Sequence, residues 1–260
     1  MTAKPDSPTG GTLFHEPKLQ SAADLRQFEL METVFASSGE SLKDKIDAFA
    51  KFASRQAISK FLVRHEIFQQ ILEVNGSIVE CGVLHGAGLF AFAKLSAIFE
   101  PVNHTRKIIG FDTFEGFPSV SEQDQGTGSS SHLSSGGLAG SNLADLERAV
   151  TLFDANRNLS HIPKVELIKG DLTITGPEYV KNNPHLVISL LYLDMDIYQP
   201  TKVALQTFLP RMPKGAIVAF DELNTSTFPG ETIALQETLG IGNLRLRRHP
   251  IDPYISYAVL

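Results

Sequence analysis

The run Leu186–Asp194, LVISLLYLD, is apolar on successive residues rather than alternate ones, broken only by Ser189 and the closing acid. A strand of that kind must be covered on both faces, as the central strands of a parallel sheet are. Shorter apolar runs lie on either side of it, at Ile78–Cys81, Lys107–Asp112, Val165–Lys169 and Ala216–Phe220. Helix-period segments separate them, at Ala87–Phe99, Asn142–Phe153, Pro177–Asn182, Thr201–Leu209 and Glu231–Leu239. This alternation predicts an α/β, doubly wound, mostly parallel sheet. Two last strands, Leu244–His249 and Ile255–Leu260, have no helix between them and should form an antiparallel hairpin at the edge, giving seven strands.

Three regions follow from texture. Residues 1–20 are rich in Pro, Gly, Thr and Ser and read as a flexible tail. Residues 21–74 carry Ile46, Phe49, Phe52, Ile58, Phe61 and Leu62 at helical spacing and read as a helical N-terminal cap. Residues 75–260 hold the sheet, interrupted at 119–141 by a Ser/Gly-rich stretch expected to be a structureless lid. A hydrophobic fraction of 42% makes a sizeable core available. The formal charge of −6 argues against nucleic acid as a partner. Cys81 is the sole cysteine, which excludes an intrachain disulfide and a cysteine zinc site and suits a reducing cytoplasm. No apolar signal-peptide core and no membrane span is read.

In doubly wound sheets ligands sit at the carboxyl ends of the strands. The first strand ends in Glu80-Cys81-Gly82-Val83-Leu84-His85-Gly86. Gly82 and Gly86 let backbone approach a ligand, and Glu80 offers a carboxylate to the ammonium of an amino-acid group. Asp112 closes the second strand, where an acid accepts from both ribose hydroxyls of a nucleoside. The spacing E-x-G-x-x-x-G puts Leu84 where a dinucleotide fingerprint needs glycine. S-adenosylmethionine (SAM) has an ammonium and no pyrophosphate, and so suits this turn better. Asp171 follows strand three, where an acid reaches the adenine amine or caps the next helix.

Strand four ends in Asp194-Met195-Asp196 and strand five in Asp221-Glu222. Neighbouring strands would crowd these carboxylates, and crowded carboxylates repel. A hard divalent cation, Mg²⁺ before Mn²⁺ or Ca²⁺, is the simplest compensation; without His or Cys, zinc is disfavoured. The pairing of a SAM site with such a cluster points to methylation of a hydroxyl, whose proton a carboxylate removes.

Asp112-Thr113-Phe114-Glu115-Gly116-Phe117-Pro118, Asp194-Met195-Asp196-Ile197-Tyr198 with Thr201, Pro213-Lys214-Gly215 before Asp221, and Pro229-Gly230-Glu231 together resemble the macrocin O-methyltransferase (TylF-like) family over about residues 65–240. The resemblance implies a class I methyltransferase, Rossmann-like fold, SAM, Mg²⁺ and sugar hydroxyls as acceptors, in homo-oligomers. It implies that Asp194, Asp221 and Glu222 hold the metal and that Asp194 or Asp196 is the base. It further implies that Glu80, Gly82, Gly86, Asp112, Thr113, Phe117 and Asp171 line the SAM site. Glu222 stands where the family often has Asp. The ending Asp252-Pro253-Tyr254-Ile255-Ser256-Tyr257 is similar to members acting on nucleotide-linked deoxysugars such as dTDP-deoxyhexoses. Two rivals remain at this point: an NAD(P)-dependent sugar oxidoreductase, which would carry a G-x-G-x-x-G turn and a Tyr-x-x-x-Lys pair, and a non-catalytic sugar-binding protein, which would not need the acids.

Overall fold

The computed structural model describes residues 21–126, 128 and 130–260; the expected tail, residues 1–20, lies outside them. The chain divides into two compact units, Met1–Ser54 and Arg55–Leu260. The first carries helices α1 (Ala22–Ser37) and α2 (Leu42–Asp47) and a 3-10 turn, Phe49–Lys51. Ser41 caps α2 by accepting from Asp44 N, and Phe35 meets Phe52 edge-on with ring centres 5.0 Å apart.

The second unit begins with α3 (Arg55–Gln70), twenty residues before the boundary that texture suggested at 74/75. The physical reason is burial: Val63, Ile67 and Phe68 of α3 are in the main core. Then follow β1 (Ser77–Cys81), α4 (Ala87–Phe99), β2 (Ile108–Asp112), α5 (Leu143–Asp154), β3 (Val165–Lys169), α6 (Leu172–Asn182), β4 (Ile188–Leu193), α7 (Tyr198–Phe208), β5 (Ile217–Phe220), α8 (Pro229–Thr238), β6 (Arg247–Arg248) and β7 (Ser256–Val259).

Among the described residues these strands form one seven-stranded sheet in the order β3-β2-β1-β4-β5-β7-β6. The first five are parallel, and β7 pairs antiparallel with both β5 and β6. The period of two along each strand divides the core. Ile78, Ile108, Leu190 and Ile217 face α3, α4 and α5. Their successors Val79, Ile109, Leu191 and Val218 face α6, α7 and α8. Each fully buried aliphatic side chain contributes roughly 1.5–3 kcal/mol, so all-buried β1, β4 and β5 anchor the unit.

Some boundaries differ from the sequence reading for local reasons. α6 starts before Pro177 because Asp171 caps it, accepting from Thr173 N at 2.8 Å. β6 is only two residues long; its Arg247 and Arg248 are exposed, and a 3-10 turn at Ile241–Asn243 takes up the preceding chain. No helix among the described residues is long and apolar enough to cross a membrane.

Candidate active site

The strand register builds the site. Cys81 is level with Phe111 on one side and Leu193 on the other, and Leu193 with Phe220. The next residues, Asp112, Gly82, Asp194 and Asp221, therefore stand in a row across the carboxyl edge. The ladder continues one step to hold them: Gly82 N donates to Phe111 O at 2.9 Å, Asp194 N to Cys81 O at 2.8 Å and Asp221 N to Leu193 O at 2.9 Å. The sheet order reverses between β1 and β4, so the row straddles the switch point where such folds bind ligands. Four non-glycine residues with positive φ follow these strands: Leu84, Phe114, Asp196 and Asn224, at 50°, 56°, 63° and 65°. Strain of that kind collects at functional sites.

On the β1–β2 side, Gly82 has φ +89°, and a Cβ there would lie 1.9 Å from Asp194 O. Gly86, at φ +81°, opens α4. Asp112 is engaged with this turn: Oδ2 accepts from Val83 N (2.7 Å) and Leu84 N (2.9 Å), and Oδ1 from Phe114 N (2.7 Å). The acid thus sets the shape of the turn and keeps lone-pair capacity on Oδ1 alone. Glu80 is buried beneath the turn with Oε2 unpartnered. Its carboxyl is raised well above the usual range by burial, against the opposing pull of Arg64. Thr113 donates to Gly116 O (2.6 Å) and accepts from Glu115 N, folding the chain after β2. Phe117 contributes its backbone to a pair of bonds with Gly137 O and Gly136 N. Asp171 has its Oδ1 on Thr173, as the cap described above.

On the β4–β5 side the acids act on one another electrostatically, and α3 supplies positive charge that the sequence pattern does not show. Lys60 Nζ lies 2.7 Å from Asp221 Oδ2, and Tyr192 donates to Asp221 Oδ1 at 2.7 Å. Arg64 Nη2 is 3.8 Å from Asp194 Oδ2. Asp194 keeps 28% of its side chain open, whereas Asp221 keeps 3%. Burial pushes Asp194 up to about 7, reinforced by Asp221 and opposed by Lys60 and Arg64. Asp196 is also raised, by burial and then by Asp194 and Asp221. Asp221 is lowered, because Lys60 and Arg64 outweigh its burial. Burial, then Asp196 and Asp221, push Glu222 up to about 10. Glu231, fully buried, accepts from Glu222 N at 2.8 Å.

Among the described residues no three His, Cys, Asp or Glu side chains are already drawn together as a metal-holding group. Lys60 and Tyr192 occupy Asp221 instead. The donor chemistry nonetheless fits a hard cation. Every donor is a carboxylate oxygen, and Glu222 Oε2 and Glu231 Oε1 are buried without a partner, a costly condition for a polar atom.

The stretch 119–141 is not structureless. A 3-10 turn at Glu122–Asp124 is closed by a capping box between Ser121 and Asp124. Asp124 is buried, and its Oδ1 accepts from Tyr198 N at 2.6 Å, capping α7, whose own N-cap residue, Ile197, supplies no side-chain bond. A Cβ on Gly230 would lie 1.9 Å from that oxygen, so the start of α8 closes over the contact only as glycine. Tyr198 and Lys202 have the four-residue spacing of an oxidoreductase pair. Both engage Glu237, at 2.5 and 2.7 Å, in a bridge between α7 and α8.

The family model for macrocin-O-methyltransferase (TylF) matches residues 55–237, starting where the second compact unit starts. A crystal structure of CalS11, calicheamicin methyltransferase, superposes with a TM-score of 0.88 at 32% identity, covering 98% of this chain and 99% of that one. An apo structure of CalS11, there named a TDP-rhamnose 3'-O-methyltransferase of calicheamicin biosynthesis, gives 0.80 at 32% identity, covering 92% and 95%. The O-methyltransferase NovP shares the fold, with a TM-score of 0.62 at 19% identity over 78% of this chain and 79% of its own. No curated protein matches the chain in sequence.

Proposed function

The chain belongs to the macrocin-O-methyltransferase (TylF) family, and we propose that it transfers the methyl group of SAM to a sugar hydroxyl, with a nucleotide-linked deoxysugar as acceptor and a divalent cation at the acid cluster. The observation that carries this reading is the row Asp112, Gly82, Asp194, Asp221 on one sheet edge. On this reading the turn serves the donor and the acids serve the acceptor, on the two sides of the switch point. The likeness to CalS11, named for TDP-rhamnose, supports the acceptor class.

The glycine turn and Asp112 cradle the donor, and Glu80 Oε2 offers an acceptor to its ammonium. The acceptor oxygen attacks the methyl carbon as the carbon–sulfur bond breaks, and the bonding pair stays on sulfur to leave S-adenosylhomocysteine. The hydroxyl proton passes to Asp194, which keeps 28% of its side chain open to the acceptor side. Asp194, Asp221 and Glu222 are the residues that would hold the cation. When bound, it supplies Lewis-acid stabilisation to the charge developing on the acceptor oxygen. Arg64, enclosed beside Asp194, offsets part of the remaining negative charge.

The test is transfer of a labelled methyl group from SAM to a panel of dTDP-deoxyhexoses, with and without EDTA and added Mg²⁺. Chelation should abolish transfer and Mg²⁺ restore it. Asp194→Asn should slow turnover by at least about 10²-fold while still binding SAM. Activity that survives exhaustive chelation removes the cation from the reading. Wild-type turnover by Asp194→Asn removes the base.

A further inference from the structure

The acid cluster contains five carboxylates, Asp194, Asp196, Asp221, Glu222 and Glu231, and two cationic side chains from α3 face it. The two cations are held differently. Arg64 is buried, with 7% of its side chain exposed, and its guanidinium lies over the Tyr192 ring at 5.4 Å. Lys60 keeps 36% of its side chain in solvent and touches the cluster through one contact, Nζ to Asp221 Oδ2 at 2.7 Å. A lysine ammonium is a compact charge on a flexible stem, able to leave one oxygen without disturbing the helix that carries it. The other Asp221 oxygen is bonded to Tyr192, which is fixed in β4. The most exposed positive charge in the cluster thus sits on a carboxylate that a divalent cation would need.

We propose that Lys60 is an exchangeable counter-ion: its ammonium and a divalent cation compete for Asp221, so that cation binding releases Lys60 into solvent. The proposal rests on the reading of the cluster as a cation site and goes beyond it, because it assigns a second role to α3. Two positive groups on one carboxylate oxygen repel strongly in a partly buried setting. Lys60 therefore neutralises Asp221 until the cation takes over and then swings away, which it can do because 36% of its side chain is already in solvent. Arg64, enclosed, stays.

Two measurements on the full chain test this. In wild-type protein, acetylation of lysines by an amine-reactive ester is followed residue by residue by mass spectrometry, with and without Mg²⁺. Labelling of Lys60 should rise several-fold with Mg²⁺, while lysines away from the cluster, such as Lys43 and Lys181, stay constant. In parallel, isothermal titration should find Mg²⁺ bound about tenfold more tightly by Lys60→Met than by wild type, because a repelling charge is gone. Lys60→Arg should stay near the wild-type affinity. Mg²⁺ binding by wild type with Lys60 labelling unchanged or reduced overturns the exchange and leaves the cation reading standing. Equal or weaker Mg²⁺ binding by folded Lys60→Met does the same. If neither wild type nor variant binds Mg²⁺, the cation reading fails and this proposal fails with it.

Discussion

Tyr192, in the middle of the sheet, donates its hydroxyl to Asp221 Oδ1 at 2.7 Å, reaching from β4 to the acid that follows β5. Tyr192 is fully buried, and burial raises its phenol well above the usual range, so it remains a donor at every working pH. Tyr192→Phe is expected to lower unfolding free energy by about 1.5–3 kcal/mol, the range for a hydrogen bond to a charged group. Methyl transfer should fall while donor binding persists. Urea denaturation alongside a turnover assay reads both, and an unchanged midpoint would detach the tyrosine from the support of the cluster.

Asp112 carries three backbone N–H groups on two oxygens. An amide in its place sets its NH₂ against at least one of those donors. Asp112→Asn should therefore cost about 2 kcal/mol of stability and weaken SAM binding in step with it, as seen by thermal shift and titration. Full stability with lost binding would mean that the acid serves the ligand alone and not the turn.

Glu80 gives a pH signature. Its folded carboxyl is raised by burial, more than Arg64 can offset, so the folded chain keeps a proton that the unfolded chain releases above about pH 4.3. Stability from this group is fully present below that pH and declines as pH rises toward the folded value. Glu80→Gln should flatten the decline and be the more stable protein at about pH 8, while losing affinity for SAM. Denaturation midpoints measured from about pH 5 to 8 decide it; parallel slopes in the two proteins would refute it.

Asp124 pins the 119–141 segment to α7. Asp124→Ala removes both the cap on Tyr198 N and the box with Ser121, with an expected loss of about 1–2 kcal/mol. Amide exchange across 119–141 should quicken in the variant. In wild type it should slow when S-adenosylhomocysteine and acceptor are bound together. Protection that is identical in variant and wild type would show that the segment is held elsewhere.

The sheet was legible because its strands are buried on both faces, and apolar runs such as Leu186–Leu193 report that directly. The glycine turn and the acids were legible because they follow those runs. Lys60 and Arg64 were not. In sequence they are basic residues on an amphipathic helix, more than 120 positions from the acids, and nothing local separates a lysine facing carboxylates from one facing water. Asp124 was hidden for a related reason: an acid in a polar stretch reads as solvated. The available signals were the Ser121-x-x-Asp124 box and the absence of a capping side chain at Ile197, which required a cap from elsewhere. Asp112 was legible as the acid that closes β2, but its bonds to Val83 and Leu84 depend on the strand register.

The segment after β2 is tied at Phe117 with Gly136 and Gly137, at Asp124 with Tyr198, at Ser130 with Thr227 and at Ser141 with Leu84. Chain between and beyond these ties can lengthen, shorten or change composition without passing strain to β2 or α7. The composition of this segment is thereby separable from the scaffold. Grafting the corresponding span from a relative between fixed Phe117 and Leu143, with Asp124 retained, should exchange one preference for another while the donor half of the molecule stays as it is.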